Sequence, residues 1–385
     1  MYRKWYDYYS PGVPTTISHP FKPQKDYFLH WAEVQPEKPY LIHGDRVVSY
    51  EETNTQARRL ANALIQLGCR KQDRIAIIGP NIPEFVIAEQ TCFKLGAIIV
   101  PLNPYYTIHE LKAKLKDSGT SIVIVTSASA GKIIDIMREG QTNIRHIVVI
   151  EPENDGIAIN PDEHIYNYKT LIENSADTEP SIEILPDDIC ILIYTGGTTG
   201  ISKGVPLSVY NIERMSWVTW YWYKVPLRPT NETFRSLVAL PLYHIYGFNS
   251  QVSLNLVDGG TLILIDSPKT DKLLEAINRF RPNVFFAVPA MIHDLINHPD
   301  TPQSAIRTCL KGVNCGGSAL AHETLQEWEK LTGLSIVEGY GMTETNIISE
   351  NPYGHTRQGT VGIPVPDTDV HIVDIKTGTK ILGPG

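Results

Sequence analysis

From about residue 46 the chain alternates strand-like apolar runs with stretches whose apolar residues recur at helical spacing. RVVSY is followed by a helix at 50–67, whose Ser49 and Glu52 fit a capping box and whose Gly68 fits a stop. RIAIIG (74–79) reads as strand, PEFVIAEQTCFKLG as helix ending at Gly96, and AIIVPLN as strand. Thr107 and Glu110 open another helix, closed near Gly119. SIVIVTS, a helix near 130–139 and IRHIVVI continue the series.

A polar, acidic interval at 151–187 interrupts the alternation, which then resumes. Strands are expected at 189–194, 235–240, 261–265, 284–288, 311–315 and 335–339. Helices are expected at 209–223, 271–280, 289–298 and 321–331. Strands alternating with helices imply right-handed crossovers and parallel sheets covered on both faces. The expected fold is α/β: two similar lobes of mostly parallel sheet flanked by helices, plus a small C-terminal β element. The lobes are assigned to 1–187, with an N-terminal extension, and 188–358; the β element takes 359–385, where TVGIPVPDTDVHIVD changes character. The chain stops at TKILGPG, in what reads as a turn, so it is expected to be a piece of a longer protein.

A length of 385 residues suits two or three packed lobes. Hydrophobic content of 42% and charge of 20% are ordinary for an enzyme with a sizeable core. A net charge of −8 without a lysine or arginine cluster argues against nucleic acid as the main partner. Five cysteines, an odd number with no CxxC, read as buried thiols of a reducing compartment. MYRKWYDYYSPG lacks the apolar region of a signal peptide, and no run reaches about eighteen apolar residues. A cytoplasmic protein is expected.

The candidate chemistry starts at YTGGTTGISKGV (194–205), directly after the apolar run DDICILIY. A loop rich in Gly, Thr and Ser beyond a strand can point backbone N–H groups and hydroxyls at an anion, and a lysine adds charge. Gly196, Gly197, Thr198, Thr199, Gly200 and Lys203 fit that work, although neither the Walker nor the Rossmann glycine pattern does. Such a loop can equally be a plain turn. NCGGSALA (314–321) and YGMTETN (340–346) also follow strands, where ligands of open α/β sheets bind. Tyr340 can stack on a base, Thr343 can donate to phosphate, and Glu344 can hold a hard cation. Each also has an ordinary structural use: core packing, helix capping and solvation. MSWVTWYWYKV (215–225) is either a helix packing its aromatics, the lining of an apolar tunnel, or a membrane-surface contact.

YTGGTTGISKG, PLYHIYGF (241–248), NCGGSAL and GYGMTE, in this order and at these separations, together resemble the adenylate-forming superfamily. It includes acyl-CoA synthetases, beetle luciferases and the adenylation domains of peptide synthetases. The resemblance runs from about residue 25 to the end. WYDYYSPGVPTTISHPF, PNIPEF and LNPYYTIHELKAKLKDSG look like long- or medium-chain fatty acid–CoA ligases. No acid in PLYHIYGF stands where an amino group would be held, which argues against an amino-acid substrate.

The resemblance implies activation of a fatty acid by ATP to acyl-AMP, with release of pyrophosphate, then transfer to CoA, with Mg2+ as the cation. It gives Thr195 to Gly200 with Lys203 the β- and γ-phosphates, and Gly316, Gly317 and Ser318 the adenine and acyl pocket. Glu338, Gly339 and Gly341 lie along the nucleotide, with Tyr340 stacked on the base. Thr343 contacts the α-phosphate, Glu344 binds magnesium, and His244 stands near the activated carboxylate with Phe248 beside it. Gly196 replaces a usual serine, and Ser202 replaces a usual proline and is expected to loosen the loop. The family's ribose-binding aspartate, its hinge and its catalytic lysine are not found before Gly385, so poor turnover is expected. An aryl or short-chain acid, or a non-catalytic nucleotide- or acyl-binding module, are the alternatives. Peripheral membrane contact and a homodimer are left open.

Overall fold

The structure is a computed structural model and describes residues 3–150, 160–195, 202–227 and 232–383. In chain order its strands are β1 (Pro39–His43), β2 (Arg46–Ser49), β3 (Arg74–Ile78), β4 (Ile98–Leu102), β5 (Ile122–Thr126) and β6 (His146–Ile150). Then come β7 (Ile165–Asn167), β8 (Ile189–Thr195), β9 (Lys203–Ser208), β10 (Arg235–Val238) and β11 (Thr261–Leu264). The last five are β12 (Val284–Ala287), β13 (Gly312–Cys315), β14 (Ile336–Met342), β15 (Asn346–Glu350) and β16 (Ile363–Pro364).

Two sheets result. One runs β7-β6-β5-β3-β4-β8-β9, and the other runs β16-β15-β14-β13-β12-β10-β11-β1-β2. All neighbours are parallel except β8–β9 in the first sheet and β1–β2, β14–β15 and β15–β16 in the second. The inner strands read as continuous apolar runs because both their faces are covered; β4, β5 and β12 are buried at every residue.

Sheet membership does not divide the chain at residue 187. β8 and β9 finish the first sheet, and β1, from near the start of the chain, pairs in parallel with β11 of the second. Period alone says that a strand exists; its pairing is decided by which edge it can reach. The β16 strand adds to the second sheet, so the start of the C-terminal β element is part of that lobe's edge.

The helices between the sheets are Tyr50–Gln66 and Pro83–Leu95. A single buried cluster runs from Leu41, Val48 and Leu262 of one sheet through Leu60, Leu64 and Phe85 to Ile75 and Ile99 of the other. Every residue of Pro83–Leu95 except Glu84 is buried, as expected of a helix without a solvent face. Thr107 with Glu110 makes a full capping box, whereas Ser49 makes half of one: it accepts from Glu52 N at 3.1 Å, while the Glu52 carboxylate accepts from Gln56 one turn on. Gly96 and Gly119 end their helices with φ of 58° and 66°, a region that favours glycine. All five cysteines are buried and free.

Candidate active site

A cleft of about 260 Å³ opens beyond the carboxyl ends of β10, β13 and β14. Its walls include His244, Gly316, Gly317, Gly339, Tyr340, Gly341 and Thr343, so three of the four motifs meet there. Thr219, Tyr223, Ile245, Tyr246, Asn249, Ser250, Asn314, Met342, Asn346, Ile347 and Glu350 complete it.

Each wall is placed by local chemistry. Gly317 sits at φ 85° in the turn after β13, and a Cβ on Gly316 would stand 3.2 Å from the Tyr246 ring. The β14–β15 hairpin turns through Thr343 and closes at Asn346, whose φ of 56° suits asparagine better than most residues. Gly341 lies inside that hairpin, where a Cβ would meet the Asn346 carbonyl oxygen at 2.2 Å. The third wall is the helix that starts at Ile245, whose Phe248–Ser253 turn is a π-helix. Such insertions rotate the following side chains off the α register. Asn249 and Ser250 of this turn line the cleft, while Phe248 is fully buried against Phe93, ring centres 6.2 Å apart. Phe248 therefore packs into the core and does not line the cleft with His244, contrary to the expectation.

His244 caps that helix, its Nδ1 accepting the Tyr246 N–H at 3.2 Å. The bond requires an unprotonated Nδ1 and leaves Nε2 to carry the proton. The residue stays exposed at the cleft mouth, yet the walls strip enough water from the ring to hold its pKa below the ordinary imidazole value. Tyr340 is 47% exposed and makes no ring contact among the described residues, which leaves its face available for a base.

The deep end is a polar network. Tyr246 donates its hydroxyl to Asn314 Oδ1, and Asn314 Nδ2 donates to Val337 O at 3.0 Å and to Glu350 Oε1. Tyr223 also donates to Glu350 Oε1. Glu350 is wholly buried, and its Oε2 has no partner among the described residues. Burial raises its pKa to about 8, against the lowering effect of the Tyr223 hydrogen bond.

Other expected residues fall elsewhere. Gly196, Gly197, Thr198, Thr199 and Gly200 lie outside the described residues. Thr195 and Lys203 are not loop residues: they face each other as the last pair of the antiparallel β8–β9 hairpin, and Lys203 is exposed. Ser202 does not loosen this end of the hairpin; its hydroxyl donates to the Thr195 carbonyl at 2.7 Å and ties it. Ser318 is exposed and outside the cleft lining. Glu338 turns away to accept the Leu320 N–H at 3.4 Å, so it holds the glycine turn instead of lining the cleft. Glu344 lines a neighbouring cleft with Arg214 and Asp367, joined to the first through Asn346.

Magnesium needs few protein ligands when phosphates supply the rest. Glu344 is exposed and forms no ion pair among the described residues, which fits such a role. No group of three or more His, Cys, Asp or Glu among them could hold a metal by itself. The three tryptophans of 215–225 bond inside the protein: Trp217 to Tyr27 at 2.8 Å, Trp220 to Asp258 at 3.1 Å and Trp222 to the Asn351 carbonyl at 3.3 Å. Only Thr219 and Tyr223 from this stretch reach the cleft. No helix among the described residues is long and apolar enough to cross a membrane.

Sequence reasoning missed Tyr246, Asn314 and Glu350; Tyr223 belongs to the 215–225 stretch, for which a tunnel lining was one of three readings. Tyr246 and Asn314 stand inside motifs already singled out. Glu350 carries no local signal, since it closes the mixed stretch NIISE, where a carboxylate reads as solvated.

Glycine turns, hydroxyls and a free aromatic face beyond parallel strands define a ligand site of the open α/β type. The model of the AMP-binding enzyme family matches residues 28–384, and the chain belongs to that family. It is 28% identical, over 97% of its length and 70% of the relative's, to the long-chain-fatty-acid–CoA ligase of Escherichia coli O6:H1. The anthranilate CoA ligase AuaEII, solved with anthranoyl-AMP, superposes with a TM-score of 0.85 over 97% of this chain and 69% of that one, at 23% identity. ATP-bound MatB of Rhodopseudomonas palustris gives 0.80 at 27% identity, over 94% of this chain and 69% of that one.

Proposed function

We propose that the chain serves an ATP-dependent acid–CoA ligase that couples a carboxylic acid to AMP and passes the acyl group to CoA. The observation that carries this reading is the convergence of His244, Gly316, Gly317, Tyr340 and Thr343 on one cleft beyond three strand ends. A carboxylate oxygen attacks the α-phosphorus of ATP, forming acyl-AMP and expelling pyrophosphate; the CoA thiolate then attacks the acyl carbon and AMP leaves. The carboxylate is already a nucleophile, so the first half needs no general base. Its obstacle is repulsion between anions, which positioning and charge neutralisation overcome.

Tyr340 offers the base its open face, and Thr343 offers the α-phosphate a hydroxyl at the turn of the β14–β15 hairpin. His244, with its proton on Nε2, can donate to the carboxylate without carrying a full charge. Gly316 and Gly317 let the substrate approach the backbone. Lys203 and Thr195, at the open end of the β8–β9 hairpin, would serve the outer phosphates. Glu344 would hold magnesium, which supplies charge neutralisation on the triphosphate.

The fatty acid of the sequence reading has the support of the E. coli relative. The cleft favours the second reading, a compact aryl or short-chain acid. Its deep end is polar, where a long alkyl tunnel would be apolar.

Exchange of labelled pyrophosphate into ATP tests the adenylation half directly. Exchange that requires a carboxylic acid and falls roughly 10²–10³-fold in Thr343→Ala is expected. Exchange indifferent to the acid, or to Thr343, would contradict the reading.

A further inference from the structure

We propose that Glu350 is a specificity-determining residue, whose unpartnered oxygen at the deep end of the cleft selects a compact carboxylic acid carrying a hydroxyl group remote from the reacting carboxylate. The inference rests on the ligase reading and names its substrate class.

The network fixes which oxygen is free. The Asn314 amide is held at both ends, by Tyr246 on its oxygen and by the Val337 carbonyl on its nitrogen, so it cannot flip. Its second N–H therefore points to Glu350 Oε1, which also accepts from Tyr223. Both donors converge on one oxygen, and Oε2 is left with no protein partner among the described residues. Gly339 closes over the other side, where a Cβ would approach Cγ and Oε1 at 3.3 Å.

A wholly buried carboxyl group with an unused oxygen costs stability, and buried polar atoms are nearly always paired. Here the residue lines a cleft built for a ligand. A ligand hydroxyl can both donate and accept, so it pairs with this oxygen whether the carboxyl is protonated or ionised. With a pKa of about 8 both forms are accessible near neutrality. Oε2 is already closed to water, so a ligand hydroxyl that reaches it supplies the missing partner, whereas an alkyl tail leaves it unpaired, the situation in which a polar site rejects an analogue that lacks the group. The side walls are aromatic: Tyr223 stands edge-on to Phe286 at 5.1 Å, with Tyr246 on the same ring at 6.4 Å. These surfaces suit a ring or a short chain.

The test is calorimetric titration with non-hydrolysable sulfamoyl analogues of 4-hydroxybenzoyl-AMP, 3-hydroxybenzoyl-AMP, benzoyl-AMP and decanoyl-AMP. At least one hydroxylated analogue should bind roughly tenfold or more tighter than benzoyl, and decanoyl should bind weakest. Glu350→Met should bring the hydroxylated and plain analogues to equal affinity while still binding benzoyl, which reports an intact fold. If that variant fails to fold, the preference of the wild-type chain still decides. Equal binding of all three aryl analogues, or tightest binding of decanoyl, overturns the role of Glu350 and leaves the adenylate site standing. No binding of any analogue overturns the ligase reading as well.

Discussion

Asn81 accepts the backbone N–H of Leu242 at 3.0 Å, a bond between a loop of the first sheet and the segment that carries His244. The same side chain donates to the carbonyls of Val238 at 3.2 Å and Leu240 at 3.0 Å. One buried amide thus satisfies three backbone groups just beyond β10, and it sets where His244 enters the cleft.

Replacing Asn81 by Ala should orphan those groups at about 1–3 kcal/mol each and also displace His244. Thermal unfolding should show a lower Tm, and pyrophosphate exchange should show a reduced kcat. Asn81→Asp keeps the acceptor for Leu242 but loses both donors, so it should fall between. An Ala variant with wild-type turnover would remove Asn81 from the positioning of His244.

The acid side of the pH profile follows from His244. Its folded pKa lies below the ordinary value of 6.5, so the ring is neutral at pH 7. Its contribution is present above 6.5 and is lost as pH falls through the lowered folded value, when Nδ1 gains a proton and can no longer accept from Tyr246. Activity and stability should therefore drop on an acid limb lying below 6.5, and the stability limb should be shallower in His244→Gln without disappearing, because burial also holds His19, His43 and His146 below the ordinary value. An unchanged limb in the variant would assign it to another group.

Glu350 acts in the opposite direction. Its folded pKa of about 8 is raised above the ordinary 4.5, so the fold binds a proton that the unfolded chain releases. The stability linked to it is fully present below 4.5 and declines as pH rises through 8. Between those limits Glu350→Gln, which has nothing to titrate, should lose less stability than the wild type as pH rises. Chemical denaturation at pH 5.5 and 8.5 reads the difference, and parallel slopes would deny the shift.

The two glycines of the β14–β15 hairpin should respond unequally. Gly341→Ala sets a Cβ 2.2 Å from the backbone oxygen of Asn346, which cannot yield without moving the hairpin. Gly339→Ala meets only the Glu350 side chain, at 3.3 Å. Binding of an acyl-adenylate analogue should be lost in the first and weakened in the second; equal effects would show that the hairpin is more pliant than its contacts imply.

The alternation of periods gave away both sheets and most helices, because buried parallel strands and capped helices announce themselves locally. The strands it does not reveal include β7, with three residues at an edge, and β1, which precedes the start of the alternation yet lies inside the second sheet between β11 and β2. β9 starts inside a motif that reads as a loop, and β15 starts at the last residue of another. The exchange of edge strands between lobes has no local signal at all. At the site, the glycines that line the cleft were legible because they follow predicted strand ends, while the loop of Gly196 to Gly200 lies outside the described residues. Glu350 was not: a carboxylate in NIISE looks solvated until the fold buries it beside Asn314 and Tyr223.

The most direct test of the cleft as an acyl-adenylate site is titration of wild-type chain and Thr343→Ala with one sulfamoyl benzoyl-adenylate analogue, followed by calorimetry. One-to-one binding that weakens roughly tenfold or more in the variant is expected, the scale of one well-aimed hydrogen bond to a charged group. Absence of binding by the wild type, or the same affinity in both, would contradict it.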